Sequence, residues 1–279
     1  MLNEKIDLLE SELRGRLIRA LRKNSSWGKI FGDFIDDIRK ENLTAYLFGG
    51  TVRDLLVLGA KTPPRDLDLV VDSNAFEYFR HQFQFDRMSS NRFGGIKCKF
   101  NTLEIDIWPL QRTWAFQKGY RTDVTFRSLP STAFYNLDAI VAEIVPSKGK
   151  SRVIHECGFF KGMINRQIDY NLEITEHPEL NAVRGFVLAQ RTGFHFSNRL
   201  CKFLFDLFFI KKRKHYEDIQ LQHYKRVRIP EEVLIWNFEQ MRMILNKNPQ
   251  STYLPVFPKL IQDEFLFDPE PLCFGFAET

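Results

Sequence analysis

Leu47-Phe48-Gly49-Gly50-Thr51-Val52-Arg53-Asp54, followed after a short loop by Arg65-Asp66-Leu67-Asp68-Leu69-Val70-Val71, is the stretch on which the reading of this chain turns. The apolar and aromatic run Thr44 to Phe48 reads as a buried strand that ends in a tight turn at Gly49-Gly50, and Asp54 to Leu58 resumes helical spacing. Two glycines at a strand end let the backbone approach a ligand with no Cβ in the way, and the helix that follows aims its first N–H groups at an anion. Arg53, in the first turn of that helix, either forks onto phosphate oxygens or locks the turn by pairing with Asp54 or another acid. Asp66 and Asp68 stand two apart on a predicted strand, so both carboxylates leave the same face while Leu67 and Leu69 are buried on the other. Adjacent carboxylates repel unless a cation sits between them, and oxygen-only ligation suits Mg²⁺. Leu103 to Trp108 alternates, which puts Glu104 and Asp106 on one face of a further strand; of the two, Asp106 between Ile105 and Ile107 is favoured as the third carboxylate.

Each piece alone is weak, but the order strand, Gly-Gly, helix, proline break at Pro63-Pro64, D-x-D strand and acidic strand is specific. It resembles the signature of the polymerase-β-like nucleotidyltransferase superfamily, in the branch of bacterial-type tRNA CCA-adding enzymes and poly(A) polymerases, which reads G-G-x-V-R-D and then D-x-D. Gly49, Gly50, Val52, Arg53, Asp54, Asp66 and Asp68 match. The resemblance implies that Asp66 and Asp68 ligate catalytic Mg²⁺, that the turn Gly49 to Thr51 holds the triphosphate of an NTP, with ATP the favoured one, and that Arg53 and Asp54 shape the turn. More faintly, His177 to Phe194 resembles the family's neck helix, with Arg184, Ala189, Gly193 and Phe194 in place and Arg184 on the nucleotide. The family's base-reading acid and arginine are replaced here by Pro178 and Asn181; moving the register by two recovers Glu179 but loses Gly193-Phe194. A further family motif, R-R-D-F-T-x-N-A, is echoed by Arg121 to Thr125 or by Phe134 to Ala139. A buried polar edge left unmatched costs on the order of 1–3 kcal/mol, so selectivity between ATP and CTP, and with it CCA addition itself, is not expected.

Outward from this segment, apolar residues at Leu2, Ile6, Leu9, Leu13, Leu17 and Leu21 predict an amphipathic helix, and a second runs from Trp27 to about Arg39. Leu67 to Val71 predicts a strand, Phe76 to Phe83 a helix and Ile96 to Trp108 a hairpin; beyond about Tyr170 strand signals fade, and Ala182 to Thr192, Leu200 to Ile210 and Glu231 to Leu245 predict helices. The tail from Asn248 reads as an irregular packed extension. The expected fold is α+β: N-terminal helices over 1–42, a small mixed-sheet nucleotidyltransferase palm over 43–175, and a helical neck and body over 176–279.

The 279 residues, 44% hydrophobic and 27% charged, fit a folded globular chain and exclude disordered and fibrous classes. Four scattered cysteines with no C-x-x-C pair point to a reduced compartment, and no apolar run approaches a membrane span or a leader, so a cytoplasmic protein without membrane contact is expected. The histidine spacings fit no zinc motif, and no P-loop or Rossmann glycine pattern occurs. The 27 phenylalanines are expected to fill cores. The net charge of +5 is concentrated in Arg199 to Arg228, where nine Lys or Arg face three Asp or Glu; Lys211, Lys212, Arg213, Lys214, Lys225, Arg226 and Arg228 are the expected RNA-backbone contacts, with Tyr216 and Tyr224 either stacking on bases or structural. The expected activity is two-metal, Mg²⁺-dependent transfer of NMP to an RNA, tRNA-like 3′ end with release of pyrophosphate. A non-transferring NTP-binding module and an enzyme modifying a protein or small molecule are the alternatives, and the oligomeric state is left open.

Overall fold

The computed structural model describes residues 2–59, 64, 66–91, 94–100, 103–172, 175–210 and 216–258. The chain divides into two units, Met1–Ala133 with Leu137–Phe160, and Phe134–Asn136 with the described residues from Lys161 on.

The first unit is built on the predicted strand, β1 (Ala45–Phe48), and on β2 (Asp66–Val71), β3 (Arg87–Ser90), β4 (Ile96–Phe100), β5 (Leu103–Pro109), β6 (Ile140–Glu143) and β7 (Ile154–Glu156). They form one mixed sheet in the order β3-β4-β5-β2-β1-β6-β7, with β2–β5 the parallel pair and every other neighbour antiparallel. Seven strands make it larger than the small sheet expected. Three strands, β3, β6 and β7, were not predicted: β3 is exposed at all four residues and so has no buried face to print an alternating pattern, β6 is a short run buried almost throughout and so does not alternate, and β7 is only three residues long.

The helices of this unit are α1 (Leu2–Ala20), α2 (Gly28–Lys40), α3 (Gly50–Leu58), α4 (Ser73–His81) and the single turn α5 (Trp114–Gln117). Read from sequence as a separate leading segment, α1 and α2 instead share this unit. The α1 stripe Leu9, Leu13 and Leu17 is buried, and Arg16 donates to the carbonyls of Leu55 and Leu56 at 3.2 and 2.8 Å in the last turn of α3, where the Leu55 carbonyl also accepts from the Gly59 amide. From α2, Phe34 stacks on Phe79 of α4 with ring centroids 4.8 Å apart. The α4 N-terminus is capped by Asp72, whose carboxylate accepts from the Ala75 amide at 2.8 Å.

The second unit holds α6 (Phe159–Ile164), which begins at the end of the first, then β8 (Gln167–Ile168), α7 (Pro178–Thr192), β9 (His195–Phe196), α8 (Asn198–Phe205) prolonged by a π-helical turn Asp206–Ile210, α9 (Tyr216–Tyr224) and α10 (Glu231–Lys247). A two-residue parallel pair joins β8, just before Tyr170, to β9 beyond it, strand content that the sequence reading omitted. Phenylalanines fill the core as expected: Phe186 meets Phe196 edge-on at 5.1 Å, and Phe208 stacks on Phe238 at 4.1 Å. The irregular tail is pinned as far as residue 258 by buried Asn237, which donates to the carbonyls of Val233 and Val256 at 2.8 and 2.9 Å and accepts from the Tyr253 hydroxyl at 2.7 Å and the Val256 amide at 2.9 Å.

Candidate active site

The predicted acidic strands lie side by side. In the parallel pair β2–β5, Asp66 stands opposite Glu104 and Asp68 opposite Asp106. Residues paired across neighbouring strands share a face, and strands are spaced about 4.8 Å apart, so all four carboxylates leave one side of the sheet. Leu67, Leu69, Ile105 and Ile107 are buried on the other side, each at most 1% exposed. Further along the acid-bearing face the register continues into Tyr46, Val70 and Trp108, roofed by Leu110, Phe116, Phe126 and Leu129, so the acids occupy the open end of a face whose other end is packed.

Repulsion among the acids is met by a lysine. Lys97 of β4, register partner of Asp106, places its Nζ 3.3 Å from Glu104 Oε2 and 4.0 Å from Asp106 Oδ2. Asp106 first, then Glu104 and Asp66, hold the Lys97 ammonium above its ordinary range against the effect of burial. Burial holds the Asp106 carboxyl above the usual carboxylate range, Lys97 opposes this, and Asp66 and Glu104 reinforce it. Among the described residues no three acidic, His or Cys side chains close around one point as they stand. The donor set nevertheless fits a hard divalent cation: oxygen ligands alone, with two of the three chosen carboxylates in direct register and water and phosphate left to complete the shell. Between the two candidates for the third ligand, the register favours Asp106, which faces Asp68, over the more exposed Glu104, which faces Asp66 at the strand end.

The glycine turn joins β1 to α3 beside these acids. Gly49 adopts φ +63°, ψ −120°, a conformation open to glycine and strained for residues with a Cβ, and its N–H donates to the Ile140 carbonyl at 2.9 Å. Thr51, buried in the first turn of α3, points its hydroxyl to the Asp66 carbonyl at 3.3 Å and so ties the turn to the acidic strand. The N–H groups of Gly50 and Thr51 belong to the helix end that leaves donors without intrahelical partners. Arg53 takes the second of its two predicted roles. It is 6% exposed, donates from Nε to Asp54 at 2.8 Å and from Nη1 to Asp138, and it locks the turn from beneath. Burial alone would lower the guanidinium's pKa, but Asp138 and Asp54 together raise it.

Asp138, like Lys97, is a residue that sequence reasoning missed as a member of this site. Its only signal was membership of Phe134 to Ala139, one of the two echoes of the family motif; the other, Arg121 to Thr125, is an exposed loop in which Thr125 and Ser128 hydrogen-bond one another. Arg184 stands exposed on α7 in the second unit. There the His223 imidazole is held below its ordinary range by burial and then by Arg184, Arg228, His177 and Lys225, so Arg184, Lys225 and Arg228 gather in one basic neighbourhood. Lys225 and Arg226 are exposed, and Arg228 lies over the Tyr224 ring at 4.3 Å. Tyr216 is 2% exposed and packs near Phe208, a core role rather than a platform for bases. Lys211, Lys212, Arg213 and Lys214 lie outside the described residues. Asn181, at the expected base-reading position, is buried: its side-chain Nδ2 donates to Thr175 Oγ1 at 2.7 Å and its backbone carbonyl accepts from the Tyr135 hydroxyl.

Residues 45–133 match the family model described as Poly A polymerase head domain. No curated protein sequence matches the chain. Among solved structures, the chain is similar to a CCA-adding enzyme in complex with CTP (TM-score 0.57, 18% identity, covering 86% of this chain and 57% of that one) and to a CCA-adding enzyme in complex with ATP (TM-score 0.56, 17% identity, 90% and 58%). An apo CCA-adding enzyme gives 0.56, with 18% identity over 81% and 54%. At this identity the likeness establishes the fold, and the chain spans 54–58% of the length of these enzymes.

Proposed function

We propose that this chain, whose residues 45–133 form a head domain of the poly(A) polymerase type within a CCA-adding enzyme fold, is a nucleotidyltransferase that moves NMP from an NTP, ATP favoured, onto an RNA 3′ end and releases pyrophosphate. The observation that carries this reading is the parallel register that sets Asp68 against Asp106, with Asp66 at the glycine turn through Thr51. Asp66, Asp68 and Asp106 would hold Mg²⁺, which when bound neutralises charge on the transferring phosphoryl group and lowers the pKa of the attacking hydroxyl. The first-turn amides of α3 receive phosphate oxygens without reorganising, because Arg53, Asp54 and Asp138 have already fixed the turn. The basic neighbourhood of Arg184, Lys225 and Arg228 supports RNA as the acceptor, and a tRNA-like 3′ end is the class that the sequence resemblance implies.

The burial of Asn181 and the commitment of its side-chain amide to Thr175 argue against base selection at that position and favour a second reading, an NTP-binding palm without turnover. Incubation of the whole protein with α-labelled NTPs, Mg²⁺ and total RNA separates the two. Wild-type protein is expected to label RNA and release pyrophosphate, while Asp66→Asn with Asp68→Asn folds yet falls to background. Saturable NTP binding without release in the wild type would select the binding module instead.

A further inference from the structure

The register that gathers the acids also sorts the basic side chains to one side of them. β4 pairs with β5 through Lys97 opposite Asp106 and Lys99 opposite Glu104, and β3 pairs with β4 through Arg87 opposite Lys99 and Ser89 opposite Lys97. Since paired residues share a face, the acid-bearing side reads inward from the sheet edge as Arg87 and Ser89, then Lys99 and Lys97, then Glu104 and Asp106, then Asp66 and Asp68. Arg87, Lys97 and Lys99 are all exposed. Lys97 is paired with Glu104, whereas Arg87 and Lys99 make no ion pair among the described residues. The glycine turn lies on the opposite flank, since β1 follows β2 in the sheet and Thr51 reaches Asp66 from that side.

We propose that the Arg87, Lys97 and Lys99 strip is the subsite for the backbone phosphates of the acceptor RNA immediately upstream of its reacting 3′ hydroxyl. The inference rests on the reading of the carboxylates as the transfer centre. In phosphoryl transfer the attacking and leaving oxygens lie roughly in line on opposite sides of phosphorus. With the departing pyrophosphate on the glycine-turn side, the acceptor approaches across β4 and β3, the strands that carry the cations. Arginine's planar fork matches a phosphate, and two lysines supply point charges beside it. Lys97, nearest the acids, meets the phosphate next to the reacting end; Arg87 and Lys99 meet those further back.

The test is fluorescence anisotropy of a labelled single-stranded RNA on the whole protein, using the natural oligonucleotide and one whose last linkages are neutral methylphosphonates, alongside steady-state incorporation. Both altered residues of Arg87→Gln, Lys99→Gln are exposed, so the double variant keeps its melting temperature. It is expected to weaken RNA binding roughly tenfold and to lower the slope of log Kd against log salt by about 1 to 1.5, as the loss of two phosphate contacts requires. The KM for ATP stays unchanged, and methylphosphonate substitution weakens binding to the wild type but not to the variant. An unchanged RNA Kd and salt slope, an equal methylphosphonate penalty in both proteins, or a raised KM for ATP with intact RNA binding overturns the proposal, the last by giving the strip to the triphosphate. If the wild type labels RNA and the variant still binds it normally, the strip alone falls; if the wild type binds ATP but labels no RNA, the transfer reading falls with it.

Discussion

Arg53 shows how a residue of the nucleotide motif does its work without touching a ligand. Its guanidinium is buried between two acids, Asp54 at the next position and Asp138, 85 positions along the chain, and it holds together β1, α3 and the approach to β6. Removing one partner of such a set leaves uncompensated buried charge, which typically costs about 3–5 kcal/mol. Because both acids keep some contact with water, Arg53→Met is expected at the lower end, about 3 kcal/mol, read as a shift in the urea midpoint. An unchanged midpoint would show that the turn stands without its lock. Gly49→Ala, which forces a side chain into φ +63°, ψ −120°, is expected to cost on the order of 1–3 kcal/mol in the same measurement and to weaken NTP binding, because the turn itself must shift.

At the scale of elements, α7 passes so close to Tyr135 that a glycine is required. A Cβ on Gly185 would stand 2.4 Å from the Tyr135 hydroxyl, and that ring cannot withdraw, being 1% exposed and bonded to the Asn181 carbonyl. Alanine in a helix interior normally gains about 1 kcal/mol over glycine. Here overpacking reverses the sign, and Gly185→Ala is expected to lose about 1–3 kcal/mol, measured by thermal unfolding. Sequence and structure part company along the same physical line. The acidic strands were legible because apolar and acidic residues alternate with period two, the strict signature of one buried face. Both N-terminal helices and α10 were legible from their three-to-four spacing. The edge strand β3 and helix α9 were not, because they bury nothing or almost nothing of their own: in α9 only Tyr216 and Gln220 are buried, and Gln220 is polar, its amide holding the Arg228 and Ile229 backbone. Asp138 was invisible as a site residue for a different reason, since its partner is distant in sequence and no local period encodes a long-range ion pair.

At the scale of the whole molecule, three histidines among the described residues are held below their ordinary range, desolvation being the largest cause: His155 in the first unit, His195 and His223 in the second. A depressed imidazole binds its proton less readily in the folded state than in the unfolded chain, so the unfolded state takes up more protons as pH falls through the ordinary histidine range near 6.5. Stability is therefore expected to be flat above about pH 7 and to fall between about pH 6.5 and 5. Urea midpoints in that window are expected to drop less for His155→Gln than for the wild type, and equal drops would remove His155 from the explanation. Charge has a second whole-chain consequence: the sheet face grades from basic at its β3 edge to acidic at β2, and it is on this gradient that a polyanion and a divalent ion would meet. The most direct test of that centre is a titration of Mn²⁺, followed by electron paramagnetic resonance, into the whole protein with an ATP analogue that resists cleavage between its α and β phosphates. Tight binding in the wild type, weakened at least about tenfold by Asp68→Asn and again by Asp106→Asn with melting unchanged, is the predicted result. Mn²⁺ held equally well by all three proteins would contradict the account.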